Sequence, residues 1–414
     1  MSNQTQQVKR RRVFYIPGYD PIHPRRYREL YRKEGALQAD ISGYDIGLSP
    51  KSGGDSYGWH VQGDIDGAQV HAEFDVLVWS DIVRDSMATS IPATYLQLVR
   101  TAWIYISTGT LRRLMWLRKG PVIAALYPVG MLILQLLLAL AAGAILGRIG
   151  LGTIGLTGWQ MPSVLKSAVW WPIFLGVAVV LLRWFKSKDN KFFAYYLMHD
   201  YSYSAASRGA NPPELEARMG QFGDQIAAAL QGDEDEVLVI GHSSGAHLAV
   251  SILADLVRAG RVPADGPVLG FLSLGQVVPM VSFLPQAHRL RADLHYLATT
   301  DALSWMDVTA PGDGCAFALC DPVAVSGVQP TNAKWPLVFS AAFTQSLTPE
   351  RWAELRWRFF RLHFQYLCAF DAPKDYDYFQ ITAGPVTLAD RYADRVASKS
   401  RIDVPASKYT SMTA

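Results

Sequence analysis

Glu236-Val237-Leu238-Val239-Ile240, followed at once by Gly241-His242-Ser243-Ser244-Gly245, is the stretch that decides the fold. The five residues up to Ile240 read as a buried strand, and Ala246 to Ala259 reads as a helix with apolar spacing. Between them lies a turn of small residues in the pattern Gly-x-Ser-x-Gly. A serine hydroxyl is a weak nucleophile at neutral pH, so it needs a base and a backbone that holds its oxygen clear of neighbouring atoms. Gly241 and Gly245 remove side chains where the strand turns sharply into the helix, and Ala246 and Ala249 let that helix lie close to a sheet. Ser243 is therefore the candidate nucleophile; the alternative is a serine-rich turn without chemistry.

Outward from this point, strands and helices alternate. Val13 to Ile16 is a short strand that stops at Pro17-Gly18, and Pro24 to Asp40 carries Tyr27, Leu30 and Tyr31 at helical spacing. Ser56 to Trp79 predicts a β-hairpin around Asp64-Ile65-Asp66-Gly67 that leads into a core strand. Pro213 to Gln231 predicts an amphipathic helix, and Leu269 to Leu274 and Leu303 to Thr309 predict two more strands. Such alternation implies an α/β fold with a mostly parallel sheet flanked by helices.

Two apolar runs interrupt this pattern. Pro121 to Leu146 holds 26 residues without a charge, enough to cross a hydrocarbon core of about 30 Å as a helix. Ser167 to Leu182 is shorter at 16 residues and needs Trp170, Trp171 and Trp184 at the interface, with Lys166 and Arg183 snorkelling, to span. Together they predict a two-helix membrane hairpin with spans at about 122–146 and 167–185; buried core helices are the competing reading. Arg112, Arg113, Arg118 and Lys119 precede the pair, and Arg183, Lys186, Lys188 and Lys191 follow it, against Arg148 and Lys166 between. That asymmetry predicts an integral protein of an inner or plasma membrane with both large flanks cytoplasmic.

The elbow, together with Ile16-Pro17-Gly18-Tyr19-Asp20, resembles the α/β-hydrolase superfamily and within it the lipase and esterase branch, over residues 12 to 80 and 190 to 370. The resemblance implies that the backbone N–H groups of Tyr19 and Ser244 form an oxyanion hole, although Pro17-Gly18 stands where His-Gly is usual. The family order is Ser, then Asp or Glu, then His. The only histidine beyond residue 295 is His363, in a His-x-x-Tyr segment similar to the one that opens the last helix of many lipases. Asp301, Asp307, Asp313 and Asp321 lie near the strand ending at Thr309. Asp313, in the turn Ala310-Pro311-Gly312-Asp313-Gly314, is favoured as the acid because a turn past the strand can lift a carboxylate to the sheet edge, with Asp321 as the alternative.

Bulk properties fit. The chain has 414 residues, half of them hydrophobic, and a net charge of only +3; its mean hydropathy is slightly positive. Such a balance gives no reason to expect nucleic-acid binding. Three cysteines without C-x-x-C spacing argue against a disulfide framework or structural zinc, and no secretory signal is expected. His60 and His71 lack further ligands, so no metal or other cofactor is called for.

The expected organisation is a basic tail (1–11), a first part of the hydrolase domain (12–95), a helical insertion (96–190), a second part (191–390) and a C-terminal tail (391–414). The expected function is a membrane-anchored serine hydrolase acting on lipid-like acyl esters. Thioesterase or acyltransferase chemistry on the same residues, or a catalytically silent membrane-tethered scaffold, are the alternatives.

Overall fold

The computed structural model describes residues 7–51, 53, 56–156 and 159–414; most of the expected basic tail (1–6) and residues 157–158 between the two apolar runs lie outside these. Eight strands form one mixed sheet: β1 Arg10–Ile16, β2 Asp45–Pro50, β3 Tyr57–Ile65, β4 Ala68–Val76, β5 Glu236–His242, β6 Val268–Leu274, β7 Ser304–Thr309 and β8 Leu337–Ser340. Their order is β2-β3-β4-β1-β5-β6-β7-β8. From β4 to β8 every neighbouring pair is parallel, and β3 runs antiparallel to both β2 and β4.

Burial follows position in the sheet. Every residue of β5 and β7 is buried, as expected of strands covered on both faces, whereas β3 alternates between buried and exposed. The expected hairpin forms between β3 and β4 through Asp66 and Gly67, both with positive φ, although β4 stops at Val76 rather than Trp79.

Contacts divide the chain into two units, one of Met1–Asp85, Tyr105–Val122 and Ser207–Ala414, the other of Ser86–Ile104 and Ile123–Ala206. The first contains the whole sheet, flanked by helices such as Arg25–Ser42, Pro213–Ala229 and Gly245–Arg258. The segment from Tyr105 to Val122, expected within the insertion, belongs here: Tyr105 OH donates to the Met280 carbonyl, Thr110 to Phe283 and Arg118 to Ala318.

The segments expected as tails also differ from expectation. Arg10 and Arg11 lie in β1, where the fully buried Arg11 pairs with Glu236 at 2.6 Å and donates to the carbonyls of Gly384 and Val386. Past residue 391, Ile402 exchanges backbone bonds with Leu319 and Asp321, and Ala406 donates to Val325. A basic run reads as solvated tail only while the buried carboxylate opposite it, 225 residues away in sequence, is out of sight.

The second unit contains two helices long and apolar enough to cross a membrane, Lys119–Gly155, whose first residues belong to the other unit, and Ser163–Ser187, of 37 and 25 residues. Their faces are largely uncovered: Leu137 is 58% exposed and Val180 68%. A Cβ at Gly143 would lie 2.6 Å from the Phe174 carbonyl, and one at Gly147 2.7 Å from the Trp170 indole nitrogen. The pair packs through a small-xxx-small face, the pattern that lets helix backbones approach closely in an apolar solvent.

Candidate active site

The parallel register sets the site. Ile16 of β1 lies opposite Gly241 of β5, Gly241 opposite Ser273 of β6, and Ser273 opposite Asp307 of β7. The residues that follow these strands therefore emerge at one carboxyl-terminal edge. The edge lies where β1 has β4 on one side and β5 on the other, and such crevices receive ligands in open α/β sheets.

Ser243 follows β5 with a φ of +58°, a conformation that L-residues adopt at a cost of about 1–2 kcal/mol. Its N–H donates to the Leu274 carbonyl, and its own carbonyl accepts from Ala246 at the head of the helix Gly245–Arg258. The two glycines are required sterically: a Cβ at Gly241 would stand 2.7 Å from Ala246 Cα, and one at Gly245 2.1 Å from the Ile16 carbonyl oxygen. Gly18 approaches from the other side, where a Cβ would lie 3.0 Å from that of Ser243. Ser243 itself is half-buried.

His363 and Asp313 are brought together. His363 Nδ1 is 2.7 Å from Asp313 Oδ2, with the residues 6% and 2% exposed. The same Oδ2 accepts from Tyr366 OH at 3.1 Å, and Oδ1 accepts from the Cys315 N–H at 2.8 Å. The Asp313 carboxylate thus receives three donors. Tyr366 OH also accepts from the Ala310 N–H, and burial, reinforced by the Asp313 charge, pushes the phenol well above its ordinary range. Tyr366 therefore donates to Asp313 as a neutral hydroxyl. Rather than opening a long helix, His363 ends the short helix Phe359–His363, and a single 3₁₀ turn, Gln365–Leu367, follows.

His363 sits over the elbow. His242 Nε2 lies 3.0 Å from the His363 carbonyl, and its Nδ1 lies 3.3 Å from Tyr15 OH. Burial, then the neighbouring His363, hold His242 far below the usual histidine range. The neutral ring donates from Nε2 and accepts at Nδ1. Gly275, with a φ of +54°, lies below His363: a Cβ there would be 3.1 Å from His363 Cε1 and 2.7 Å from Tyr366. No hydrogen bond joins Ser243 Oγ to His363 Nε2 among the described residues, and Nε2 is buried without a partner. Such bonds between nucleophile and base are often long in unliganded sites.

The two expected oxyanion donors differ. The Ser244 N–H meets no acceptor among the described residues, whereas the Tyr19 N–H already donates to Ser244 Oγ at 2.8 Å. The loop carrying Tyr19 is held by Trp79, whose indole donates to the Pro17 carbonyl at 2.9 Å. Asp321 is not brought to His363: its carboxylate caps the helix Pro322–Val325 by accepting from the Val323 and Ala324 N–H groups. Burial, against those bonds, raises it to about 6.

Sequence reasoning assigned no role to Tyr366, His242 or Gly275. The His-x-x-Tyr spacing contained the first, and the elbow motif the second; Gly275 carried no local signal. Comparison of the chain with protein-family models, with curated proteins and with solved structures finds no match.

Proposed function

We propose that the protein is a membrane-anchored serine hydrolase of the α/β-hydrolase type that cleaves acyl esters of lipids or lipid-like molecules. The observation that carries this reading is the buried His363–Asp313 pair, at 2.7 Å, on the same sheet edge as a nucleophile candidate held at φ +58°. Order along the chain agrees with it, Ser243 preceding Asp313 and Asp313 preceding His363.

In this mechanism Ser243 Oγ attacks the ester carbonyl while His363 Nε2 takes its proton. Asp313 fixes the tautomer that keeps the Nε2 lone pair available and stabilises the imidazolium that forms. The tetrahedral oxyanion is met by the Ser244 N–H and by the Ser244 hydroxyl, whose oxygen is polarised by the Tyr19 N–H; loss of one oxyanion-hole donor of this kind costs about 100- to 1000-fold in kcat. His363 then protonates the leaving alcohol, and water releases the acyl group by the same route in reverse.

The apolar helices Lys119–Gly155 and Ser163–Ser187 would tether the domain to a bilayer, with the basic flanks favouring a cytoplasmic catalytic unit. A lipid-like substrate follows from that tether. The missing Ser243–His363 hydrogen bond favours the second reading, a membrane-tethered scaffold that keeps the fold without the chemistry. A fluorophosphonate probe separates them. The detergent-solubilised full chain labels and Ser243→Ala does not; absence of labelling in folded protein overturns the hydrolase reading in favour of the scaffold.

A further inference from the structure

Cys315 lies two residues past Asp313, in the turn that brings the acid to His363. A thiol Sγ, a carboxylate oxygen and an imidazole nitrogen from Cys315, Asp313 and His363 all lie within 4.8 Å of one another. Asp313 and His363 are buried and Cys315 is half-buried, so the cluster has an inner floor and an outer thiol. Within the cluster, His363 Nε2 is buried without a hydrogen-bond partner, in a side chain only 8% exposed. The backbone of Cys315 is already fixed here, since its N–H donates to Asp313 Oδ1.

The geometry points to a reversible inhibitory site for a thiophilic divalent cation, with zinc as the fitting ion, formed by Cys315, His363 and Asp313. Sulfur, imidazole and carboxylate are the donor types zinc takes, at about 2.0–2.3 Å, and three protein ligands leave its fourth tetrahedral position for water. Donors as far as 4.8 Å apart must draw inward to reach a common ion. Binding releases the thiol proton of Cys315 to solvent and leaves the imidazole neutral.

The consequence for chemistry does not depend on which ring nitrogen the ion takes. Coordination at Nδ1 requires the other tautomer of the neutral ring, its single proton moved from Nδ1 to Nε2. Coordination at Nε2 occupies that lone pair directly. In both cases Nε2 can no longer accept a proton from Ser243. The inference of inhibition rests on the hydrolase reading; the binding site itself does not.

Two readouts on the detergent-solubilised full chain separate these claims. Cadmium, as a spectroscopic stand-in, gives a thiolate-to-metal charge-transfer band in the wild type that is absent in Cys315→Ser and retained in Cys368→Ser. Zinc slows fluorophosphonate labelling of the wild type by about tenfold or more, a chelator restores it, and Cys315→Ser, compared with itself, labels at one rate with and without zinc. Loss of the thiolate ligand weakens zinc by more than the roughly 10- to 100-fold that loss of an outer-shell partner costs.

Equal metal binding by wild type and Cys315→Ser overturns the site. Labelling of the wild type that zinc leaves unchanged overturns the inhibition while the hydrolase reading stands. A cadmium band that depends on Cys315 in a folded protein that never labels supports the site and sinks the hydrolase reading instead.

Discussion

Replacing Asp313 by asparagine tests the proposed acid more sharply than removing it, because the structure dictates which way the new amide must face. The carboxylate receives three donors: His363 Nδ1 at 2.7 Å and Tyr366 OH at 3.1 Å on Oδ2, and the Cys315 N–H at 2.8 Å on Oδ1. An amide NH₂ at the Oδ1 position would point its hydrogens at a backbone N–H that cannot turn away. At the Oδ2 position it can donate to Nδ1, provided His363 adopts the other tautomer.

The second arrangement wins, and it places the ring proton on Nε2, where the base needs a lone pair. In a serine protease with the same arrangement this substitution lowers kcat by about 10⁴-fold, equivalent to roughly 5.5 kcal/mol of barrier. Asp313→Asn should therefore lose about three to four orders of magnitude in fluorophosphonate labelling rate with little change in thermal midpoint. Asp321→Asn should label within a few-fold of wild type, since asparagine caps a helix nearly as well as aspartate. Labelling of Asp313→Asn within tenfold of wild type, with a large loss in Asp321→Asn, would refute the assignment.

Two further expectations follow from strain and burial. Ser243→Gly relieves the left-handed conformation at φ +58° and should gain about 1 kcal/mol of stability while abolishing labelling; Ser243→Ala should abolish labelling without that gain, so equal denaturation midpoints for the two variants would contradict a strained elbow. Asp307, buried in β7 and donated to by Ser273, is raised from 3.8 to about 8, chiefly by burial. A folded-state value above the unfolded one means the folded protein holds the proton more tightly, so this contribution is full below about pH 4 and is lost as pH rises through 8. Asp307→Asn should flatten the decline in thermal midpoint across that window, and parallel pH curves for variant and wild type would count against it.

What the sequence made legible was local. The strand–elbow–helix unit from Glu236 to Ala259 announces itself because four apolar residues, two glycines and a helical period are contiguous, and no partner is needed to read them. The strands ending at Ile16, Leu274 and Thr309 were legible for the same reason, each being buried on both faces. Two edge strands were not. β2 is an exposed, half-polar run of six residues and β8 has only four, so neither shows a pattern before its neighbour is present. The end of the expected basic tail was misread because the meaning of Arg11 lies in Glu236, which reaches it only through the sheet.

At the site, order along the chain singled out His363 and position favoured Asp313, but the links among the side chains are contacts between residues far apart in sequence. Ser244 illustrates the limit. A backbone donor is implied by the motif, yet that the Ser244 hydroxyl would occupy the Tyr19 N–H depends on a loop 225 residues earlier. His242 has a further consequence for how any Ser243 variant is interpreted. Its ring reaches the His363 carbonyl from the residue next to Ser243, so elbow and His363 are joined through a bond to the backbone that does not pass through Ser243 Oγ. The His363–Asp313 pair has its own supports in Tyr366 and the Cys315 N–H. Removing the serine hydroxyl therefore leaves His363 and Asp313, the proposed base and acid, where they are, and a loss of labelling in Ser243→Ala reports the missing hydroxyl rather than a collapsed site.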